Sequence, residues 1–303
     1  MAVAGFEFPP REVSWFKRDV LFAISIGVPS DELHFLYELS PSFSVFPTYP
    51  LILPFKHADQ EVIDFYTRNA LNNPPTGPLL DWRYVVDGQR KLTIHKPLPV
   101  TSQGRRFELH NKVIGLYDKG KSGSAYETQQ RIVDAPSGEV YSTILTTYFL
   151  PGQGGWGGPR GPAVEKFDPP ARTPDAIHRV ETTESTVYLY RLNGDYNPLH
   201  ADPSAGEKMG FDGVIVHGLF TWNSACYGVL KACADSDPDR LKEFQARFAA
   251  PVRPGDVLVT EIWKMGWVEG EEEVRFLTRV EKGKVVLGNG RALLSLGRVR
   301  HKI

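Results

Sequence analysis

The stretch GLFTWNSACYGVLKACA, residues 218–234, carries apolar side chains on nearly every side of the helix that it predicts. A helix without a polar face needs packing partners all round, so we expect it at the centre of a folded unit. A turn at residues 251–256 follows, and then come three strand-like runs rich in Val, Leu and Thr, near residues 257–267, 273–281 and 284–296. One buried helix followed by an antiparallel meander is typical of an α+β fold.

The first half of the chain repeats this plan at a coarse level. Lys96-Pro97-Leu98-Pro99 precedes three further strand-like runs, near residues 106–117, 124–133 and 139–150. An apolar helical stretch lies ahead of them, at about residues 60–71. We therefore predict a double hotdog, in which each antiparallel sheet wraps around a central helix and the two sheets join at their edges into one continuous sheet.

A Gly- and Pro-rich stretch at residues 151–174 separates the halves, and its composition continues neither a helix nor a strand. It predicts a first unit at residues 1–150, a linker at 151–174 and a second unit at 175–303. Within the linker, Gly152, Gly154 and Gly157 match the G-x-G-x-x-G fingerprint of dinucleotide sites. The prolines that follow exclude the helix that this fingerprint requires, so we expect no nicotinamide cofactor.

Composition excludes several classes of protein. The 303 residues carry 35 basic and 36 acidic side chains, and the resulting net charge of −1 is not that of a nucleic-acid-binding protein. No run of 18 apolar residues predicts a membrane span. Cys226 and Cys233 lie about two helical turns apart, too far for a disulfide, so we expect two buried thiols. Residues 1–11 show no signal peptide, and His301-Lys302-Ile303 resembles a peroxisomal targeting tripeptide.

The densest polar cluster is YRLNGDYNPLH, residues 190–200, in which Asp195 and His200 stand five positions apart. Its turn-forming residues would also fit a simple loop. The context favours chemistry, because His217 and Gly218 open the apolar helix shortly afterwards. A carboxylate and a histidine can hold and polarise a water, and free amides at the start of a helix can face a thioester oxygen as negative charge develops. The combination predicts the addition of water to a conjugated thioester.

The 190–200 segment resembles the hydratase 2 motif, Tyr-x-Leu-(small)-Gly-Asp-x-Asn-Pro-Leu-His. This motif belongs to the MaoC-like hydratases and to the hydratase domain of peroxisomal multifunctional enzyme type 2. Asn193 departs from the small residue that is usual at its position. The resemblance to the eukaryotic two-hotdog hydratases spans nearly the whole chain, through Phe35-Leu36-Tyr37-Glu38, His95-Lys96-Pro97-Leu98-Pro99, Gly154-Gly155-Trp156-Gly157-Gly158 and Ala246-Arg247-Phe248-Ala249-Ala250-Pro251-Val252.

The resemblance implies reversible hydration of trans-2-enoyl-CoA to (3R)-3-hydroxyacyl-CoA, without a metal or a redox cofactor. By position, Asp195 and His200 would bind the catalytic water, Asn197 would fix the site, and the Gly218 amide would polarise the thioester oxygen. The candidate substrate contacts are Tyr190, His217, Arg160, Arg247, Phe248 and Glu38. Of these, the two arginines would contact the phosphates of coenzyme A. Two of these side chains have an alternative to contact with substrate. His217 could instead bond to the start of its own helix, and Glu38 could instead support the fold.

An overlay of the two halves, offset by about 153 residues, places Ser42 on Asp195 and Pro47 on His200. The first half therefore lacks the acid–base pair. This predicts one active site per chain and leaves the first half free to become a wall that binds the acyl chain. Two other functions stay open: a hotdog thioesterase, and a non-catalytic acyl-CoA-binding subunit. The assembly state stays open between a monomer and a homodimer.

Overall fold

The computed structural model describes residues 4–56, 78 and 80–297 of the chain. Within these residues, ten strands form a single antiparallel sheet. The strands span Arg11–Val13 (β1), Val86–Ile94 (β2), Phe107–Asp118 (β3), Gly123–Asp134 (β4), Glu139–Pro151 (β5), Ala176–Glu181 (β6), Leu241–Phe248 (β7), Val257–Val268 (β8), Glu271–Val280 (β9) and Val285–Leu294 (β10). The α-helices span Leu33–Leu36 (α1), Glu184–Arg191 (α2), Pro203–Lys208 (α3) and Gly218–Ala234 (α4). Short 3₁₀ helices lie at Asp19–Ile26, Tyr49–Leu51, Trp82–Tyr84, Gly120–Ser122, Pro198–His200 and Pro238–Arg240.

The order of strands across the sheet is β1-β3-β4-β5-β2-β7-β10-β9-β8-β6, which is one five-strand pattern repeated back to back. β2 and β7 pair antiparallel at the join, with Lys91 opposite Gln245 at the middle of the register. Each half of the chain therefore contributes one sheet, and the two share hydrogen bonds along their inner edges. The predicted double hotdog with one continuous sheet is confirmed.

The six strand-like runs expected from sequence are confirmed as β3, β4 and β5 in the first half and as β8, β9 and β10 in the second. Each observed end lies within about two residues of its expected place, the usual uncertainty of strand boundaries. The sequence pattern did not indicate β1, β2, β6 or β7. Two of these missed strands, β2 and β7, form the join between the halves.

The helix predicted at residues 218–234 is confirmed with the same bounds, as α4. Trp222 packs edge-on against Phe244 of β7, with ring centroids 4.5 Å apart. Gly228 lets β6 approach the helix closely, because a Cβ added there would lie 2.6 Å from the Cβ of His178. The helix ends at Asp235, which takes the left-handed conformation with φ at 50°. The sheet of the second half thus wraps around a fully packed helix.

Aromatic side chains fill the core of the first half. Trp15 packs against Phe107 and Tyr49, and Phe22 packs against Phe46. All five side chains are buried. The helix expected at about residues 60–71 lies outside the described residues.

The glycine-rich linker holds a protein carboxylate. The amides of Gly155 and Gly157 each donate to Asp118 at 2.7 Å, and the Gly120 amide adds a third bond at 2.7 Å. These hydrogen bonds keep the pKa of Asp118 below its usual value. Residues 152–175 contain neither helix nor strand, so the fingerprint of Gly152, Gly154 and Gly157 is not followed by the helix of a dinucleotide site.

The longest described helix, α4, has 17 residues, whereas a span across a bilayer takes about 20. Among the described residues, no helix is long and apolar enough to cross a membrane. Cys226 and Cys233 both lie buried in α4 as free thiols, as expected. Burial raises the pKa of the Cys226 thiol well above its usual value, which keeps it unreactive.

Candidate active site

Asp195 and His200 lie at the two ends of a short turn that Asn197 holds in place. The Asn197 amide donates to Asp195 Oδ1 at 3.3 Å, and Asn197 Oδ1 accepts the Leu199 amide at 3.1 Å. Pro198 opens the 3₁₀ turn, where its fixed φ and missing amide suit the first helical position. The Asp-x-Asn-Pro-Leu-His segment therefore turns back and brings His200 beside Asp195.

One ring nitrogen of His200 is committed to the backbone. Its Nδ1 lies 2.9 Å from the carbonyl oxygen of Ile215, and a carbonyl can only accept, so Nδ1 carries the proton. In the neutral ring, Nε2 is then unprotonated and able to accept a proton. The buried His200 therefore has the tautomer that a general base needs.

His217 stacks on His200, with ring centroids 3.8 Å apart and 27° between the ring planes. Its Nε2 donates to the backbone oxygen of Asp195 at 3.2 Å. Its Nδ1 is buried and has no hydrogen-bond partner within the described part of the chain. The bond expected from this side chain to its own helix start is absent, because the geometry directs Nε2 to Asp195 instead. His217 thus fixes the backbone that carries the carboxylate.

Asn193 and Tyr190 tie the turn to its surroundings. Asn193 Nδ2 donates to Ser25 Oγ at 2.7 Å and to the Tyr190 carbonyl at 2.9 Å, so this departure from the family motif links the site to the first half. The Tyr190 ring is fully buried, with its centroid 4.9 Å from that of His217, and its hydroxyl accepts from Asn223 of α4 at 3.0 Å. Tyr190 therefore supports His217, and its contact with substrate stays a prediction.

Gly218 begins α4 directly after His217. Its amide has no acceptor among the described residues, as is usual in the first turn of a helix. A Cβ added at Gly218 would lie 3.0 Å from the Phe248 ring, so the glycine lets this ring approach the start of the helix. A free amide at the positive end of a helix dipole thus directly follows His217, one of the two stacked histidines.

Burial sets the charge states of the site. It raises the pKa of the Asp195 carboxyl above its usual value, and the nearby His200 opposes this shift. It lowers the pKa of His200, and Asp195 opposes that shift in turn. The pKa of His217 lies well below its usual value, because burial and the neighbouring His200 both disfavour its charge. Both rings are therefore neutral near neutral pH, and His200 is ready to accept a proton.

The first half contributes charges that sequence reasoning missed. Arg90 of β2 is 2% exposed and forms an ion pair with Asp87, with 2.9 Å between Nη2 and Oδ1. Its guanidinium lies 5.7 Å from the ring centroid of Tyr148. Burial raises the pKa of Asp195, Asp87 adds to this rise, and Arg90 opposes it. Arg90 stands opposite Ala246 in the β2–β7 ladder, and only this pairing brings it to the site. No local pattern in the sequence signals it.

Asp195, His200 and His217 each place one possible ligand atom within 4.8 Å of the others, a donor set that some metal ions use. The ring stacking opposes a shared ion. A zinc ion lies in the plane of a ligating imidazole, about 2 Å from the nitrogen. Planes inclined by 27° at a separation of 3.8 Å meet several ångströms beyond both rings. The expectation of a site without metal stays a prediction.

Three predicted substrate contacts lie apart from the acid–base pair. Arg160 is exposed in the linker, and Glu38 lies in the turn after α1. Arg247 is exposed on β7 and, by strand alternation, projects from the face opposite Phe248. Within the described part of the chain, none of the three forms a hydrogen bond with the pair. Their contacts with coenzyme A or substrate stay predictions.

Two family models match the chain in succession. The MFE-2 hydratase 2 N-terminal domain matches residues 14–152, and the MaoC like domain matches residues 166–286. The probable dehydratase NIT22 of Ajellomyces capsulatus is 46% identical over 308 residues, which cover 96% of this chain and 81% of that protein. The chain belongs to the MaoC-like hydratase 2 family. The resemblance noted in the sequence is thereby confirmed.

Other members of this family are similar along most of their length. The protein named Enoyl-CoA hydratase 2, peroxisomal, of Arabidopsis thaliana is 33% identical over 302 residues, covering 93% of this chain and 91% of that protein. Among solved structures, the MaoC-like dehydratase from Phytophthora capsici has a TM-score of 0.86 at 30% identity, covering 97% of this chain and 96% of that one. The shared fold therefore extends over both halves.

Proposed function

We propose that this member of the MaoC-like hydratase 2 family catalyses the reversible hydration of trans-2-enoyl-CoA to (3R)-3-hydroxyacyl-CoA in fatty-acid metabolism. The observation that carries the proposal is a partly buried carboxylate, Asp195, beside an imidazole, His200, whose Nδ1 is held by Ile215. The free Gly218 amide lies next to them. A relative named as an enoyl-CoA hydratase 2 supports the reaction, and the family motif supports the (3R) product.

His200 is the base that activates water. Its Nε2 accepts one proton from a water that Asp195 holds by a hydrogen bond, and the hydroxide adds to C3 of the enoyl group. The bond from Nδ1 to Ile215 keeps Nε2 unprotonated before the reaction. The adjacent Asp195 carboxylate favours the imidazolium that forms, since it raises the pKa of His200 against the effect of burial.

Gly218 stabilises the charge that develops on the thioester. As hydroxide adds to C3, the electrons of the C2=C3 double bond move toward the carbonyl, and its oxygen gains negative charge. The Gly218 amide, at the positive end of α4, donates to this oxygen. Phe248 packs against the same stretch of backbone and keeps competing water away from it.

Asp195 completes the addition as a proton relay: the imidazolium of His200 passes the proton taken from water to the Asp195 carboxylate, which delivers it to C2. One O–H bond of water and the π bond between C2 and C3 are exchanged for a C–O bond at C3 and a C–H bond at C2, so all atoms of water enter the product. The raised pKa of Asp195 suits a carboxyl that carries a proton for part of the cycle. Dehydration of the 3-hydroxyacyl thioester follows the same steps in reverse.

A thioesterase would direct the water to the thioester carbonyl, and its chemistry needs no histidine base with a fixed tautomer. A non-catalytic acyl-CoA-binding subunit would need neither Asp195 nor His200. The hydrogen bond that commits His200 Nδ1 to Ile215 therefore favours hydration over both alternatives.

Crotonyl-CoA distinguishes the three functions in one experiment. We expect the enoyl absorbance to disappear without release of free thiol, and a stereospecific dehydrogenase to identify the product as (3R)-3-hydroxybutyryl-CoA. Release of thiol would identify a thioesterase. Binding without loss of absorbance would identify a binding subunit, and a (3S) product would overturn the proposed stereochemistry.

Two broader proposals accompany the reaction. The first half, which carries Ser42 and Pro47 where the second carries Asp195 and His200, forms a wall for the acyl chain. A series of enoyl-CoA chain lengths tests this role. The second proposal is a peroxisomal location, which the name of the Arabidopsis relative supports. The tripeptide His301-Lys302-Ile303 lies outside the described residues.

A further inference from the structure

A cavity of about 180 Å³ that the proposed reaction does not use lies between the first half and the start of β7. Its walls come from the segment at residues 43–47, the loop at 96–100 that follows β2, and the start of β7. The lining is largely apolar. It includes Phe43, Val45, Ile94 and Leu98.

This cavity occupies the place, in the first half, that the acid–base site occupies in the second. The 153-residue offset that superimposes Pro47 on His200 aligns residues 43–47 with the turn at 196–200. In the same overlay, Ile94 at the end of β2 falls on Arg247, next to Phe248 at the end of β7. Leu241, at the start of β7, falls on Gly88, next to Asp87 near the start of β2. The repeated strand order across the β2–β7 join therefore generates a second cleft from equivalent elements.

The two clefts are separate sites. Asp87 acts on the acid–base pair near one end of β2, whereas Ile94 lines the cavity at the other end. Seven residues of extended strand span about 23 Å. A short-chain acyl thioester bound beside Gly218 therefore does not reach the cavity, so with such a substrate an occupant of the cavity is a second molecule.

The lining indicates the chemistry of this occupant. With Ser42 and Pro47 in place of the acid and the base, the cavity cannot activate water as the other site does. An apolar cavity of about 150 Å³ takes one benzene molecule, so this one has room for about six carbons. Lys96, Lys242 and Asp239 also line it, and Lys96 forms an ion pair with Glu139 at 2.7 Å, so Lys242 is the lysine left to meet an anion. Lys242 forms a hydrogen bond with the Asp239 carbonyl and no ion pair among the described residues.

We propose that this cavity binds the acyl group of a second, non-reacting acyl-CoA, of up to about six carbons, with the anionic coenzyme A portion beside Lys242. The ligand class rests on the proposed function of the other cleft. The site itself rests on the cavity, Lys242 and the repeated architecture.

Calorimetric titration with hexanoyl-CoA tests the proposal, since this saturated thioester has no double bond to hydrate. We expect two molecules bound per chain in the wild type and one in Leu98→Trp, which fills the cavity. The matched control Ile177→Trp, at an exposed side chain on the edge strand β6, should still bind two. Lys242→Glu, which leaves the apolar lining intact, should weaken the second site by about tenfold.

The failures of the two proposals are distinguishable. A wild type that binds one hexanoyl-CoA, unchanged in Leu98→Trp, would overturn the second site whatever its hydratase activity. Binding of hexanoate alone that depends on Leu98, with a single thioester bound, would overturn the assignment to acyl-CoA. A protein that binds two thioesters but leaves crotonyl-CoA unchanged would refute the hydratase reaction while retaining the cavity.

Discussion

His200 and His217 stack with their ring centroids 3.8 Å apart, and each donates one hydrogen bond to the backbone, to Ile215 and to Asp195 respectively. Two imidazolium ions at this distance would repel, so the stack accepts at most one proton. The pKa of His217 lies well below its usual value, and His200 itself contributes to that shift. The proton taken from water therefore resides on His200, which also has the Asp195 carboxylate beside it.

The pH dependence of hydration reports this arrangement. The base must be neutral, and burial lowers the pKa of His200 below the usual 6.5. We therefore expect kcat/KM to decline on the acid side only below pH 6.5. Crotonyl-CoA hydration should be measured across this range, with fluorescence at each pH to show that the protein stays folded. A decline centred at or above 6.5 would exclude a buried, neutral His200 as the base.

Gly218 tests the role of the helix start. In Gly218→Ala, the new Cβ would lie 3.0 Å from the Phe248 ring, so the ring or the amide must move. We expect kcat/KM to fall by roughly 10- to 100-fold, because the donor to the thioester oxygen is misplaced. The double variant Gly218→Ala/Phe248→Leu, which removes the edge of the ring, should recover part of the loss. Full activity in Gly218→Ala alone would argue against this donor.

Substitution of Arg90 tests whether a charge from the first half shifts the pKa of Asp195. Its guanidinium is buried, pairs with Asp87 and lowers the pKa of Asp195. We expect Arg90→Gln to raise the pKa of Asp195 further and to reduce stability by about 1–3 kcal/mol, since a partly buried carboxylate loses its partner. Urea unfolding and the pH profile of hydration measure the two effects.

The double variant Asp87→Asn/Arg90→Gln supplies the control for Arg90. It removes both charges and should recover much of the stability lost in Arg90→Gln. If Arg90→Gln left both the stability and the pH profile unchanged, the charge at this position would have no part in the site.

His178 provides a stability test away from the site. Burial beside α4 lowers its pKa to about 4, so below pH 6.5 the unfolded chain binds a proton that the folded chain does not. The free energy of unfolding should therefore fall as the pH falls from 6.5 toward 4, by on the order of 3 kcal/mol from this residue.

Urea unfolding at several pH values measures the contribution of His178. His178→Leu should show a shallower decline, whereas His95→Gln, at an exposed histidine, should decline like the wild type. Equal declines in all three proteins would show that His178 is not the group that titrates.

The strands that could be predicted from sequence are those whose own residues show the pattern of a strand. β5 and β8 carry five β-branched residues each, so alternation and turn residues place them. β2 and β7 instead carry charged residues such as Lys91 and Glu243, which look solvent-exposed in sequence. In the fold, Lys91 Nζ lies 2.7 Å from Glu243 Oε2 across the join. Glu243 Oε1 also forms an ion pair with Arg291 Nη1 of β10 at 2.9 Å. Such pairing is invisible until the strands are side by side.

The residues of the candidate site also differ in whether neighbouring sequence predicts them. Asp195, Asn197 and His200 could be predicted because one short turn joins them, with hydrogen bonds between near neighbours. Arg90 could not, because it reaches Asp195 only through the pairing of β2 with β7, across more than a hundred residues of chain. The hydrogen bond from His217 to the Asp195 backbone likewise depends on how α4 meets the turn.

The most direct test of Asp195 as a member of the acid–base pair compares Asp195→Asn with Asp202→Asn in the hydration of crotonyl-CoA. Asp202 lies on the neighbouring turn, and its capping bond to the Ser204 amide can be made by asparagine as well. We expect Asp202→Asn to hydrate at the wild-type rate, and Asp195→Asn to lose about 1,000-fold or more in kcat while it stays folded. A wild-type rate in Asp195→Asn would contradict the assignment of Asp195 and His200 as the pair that adds water.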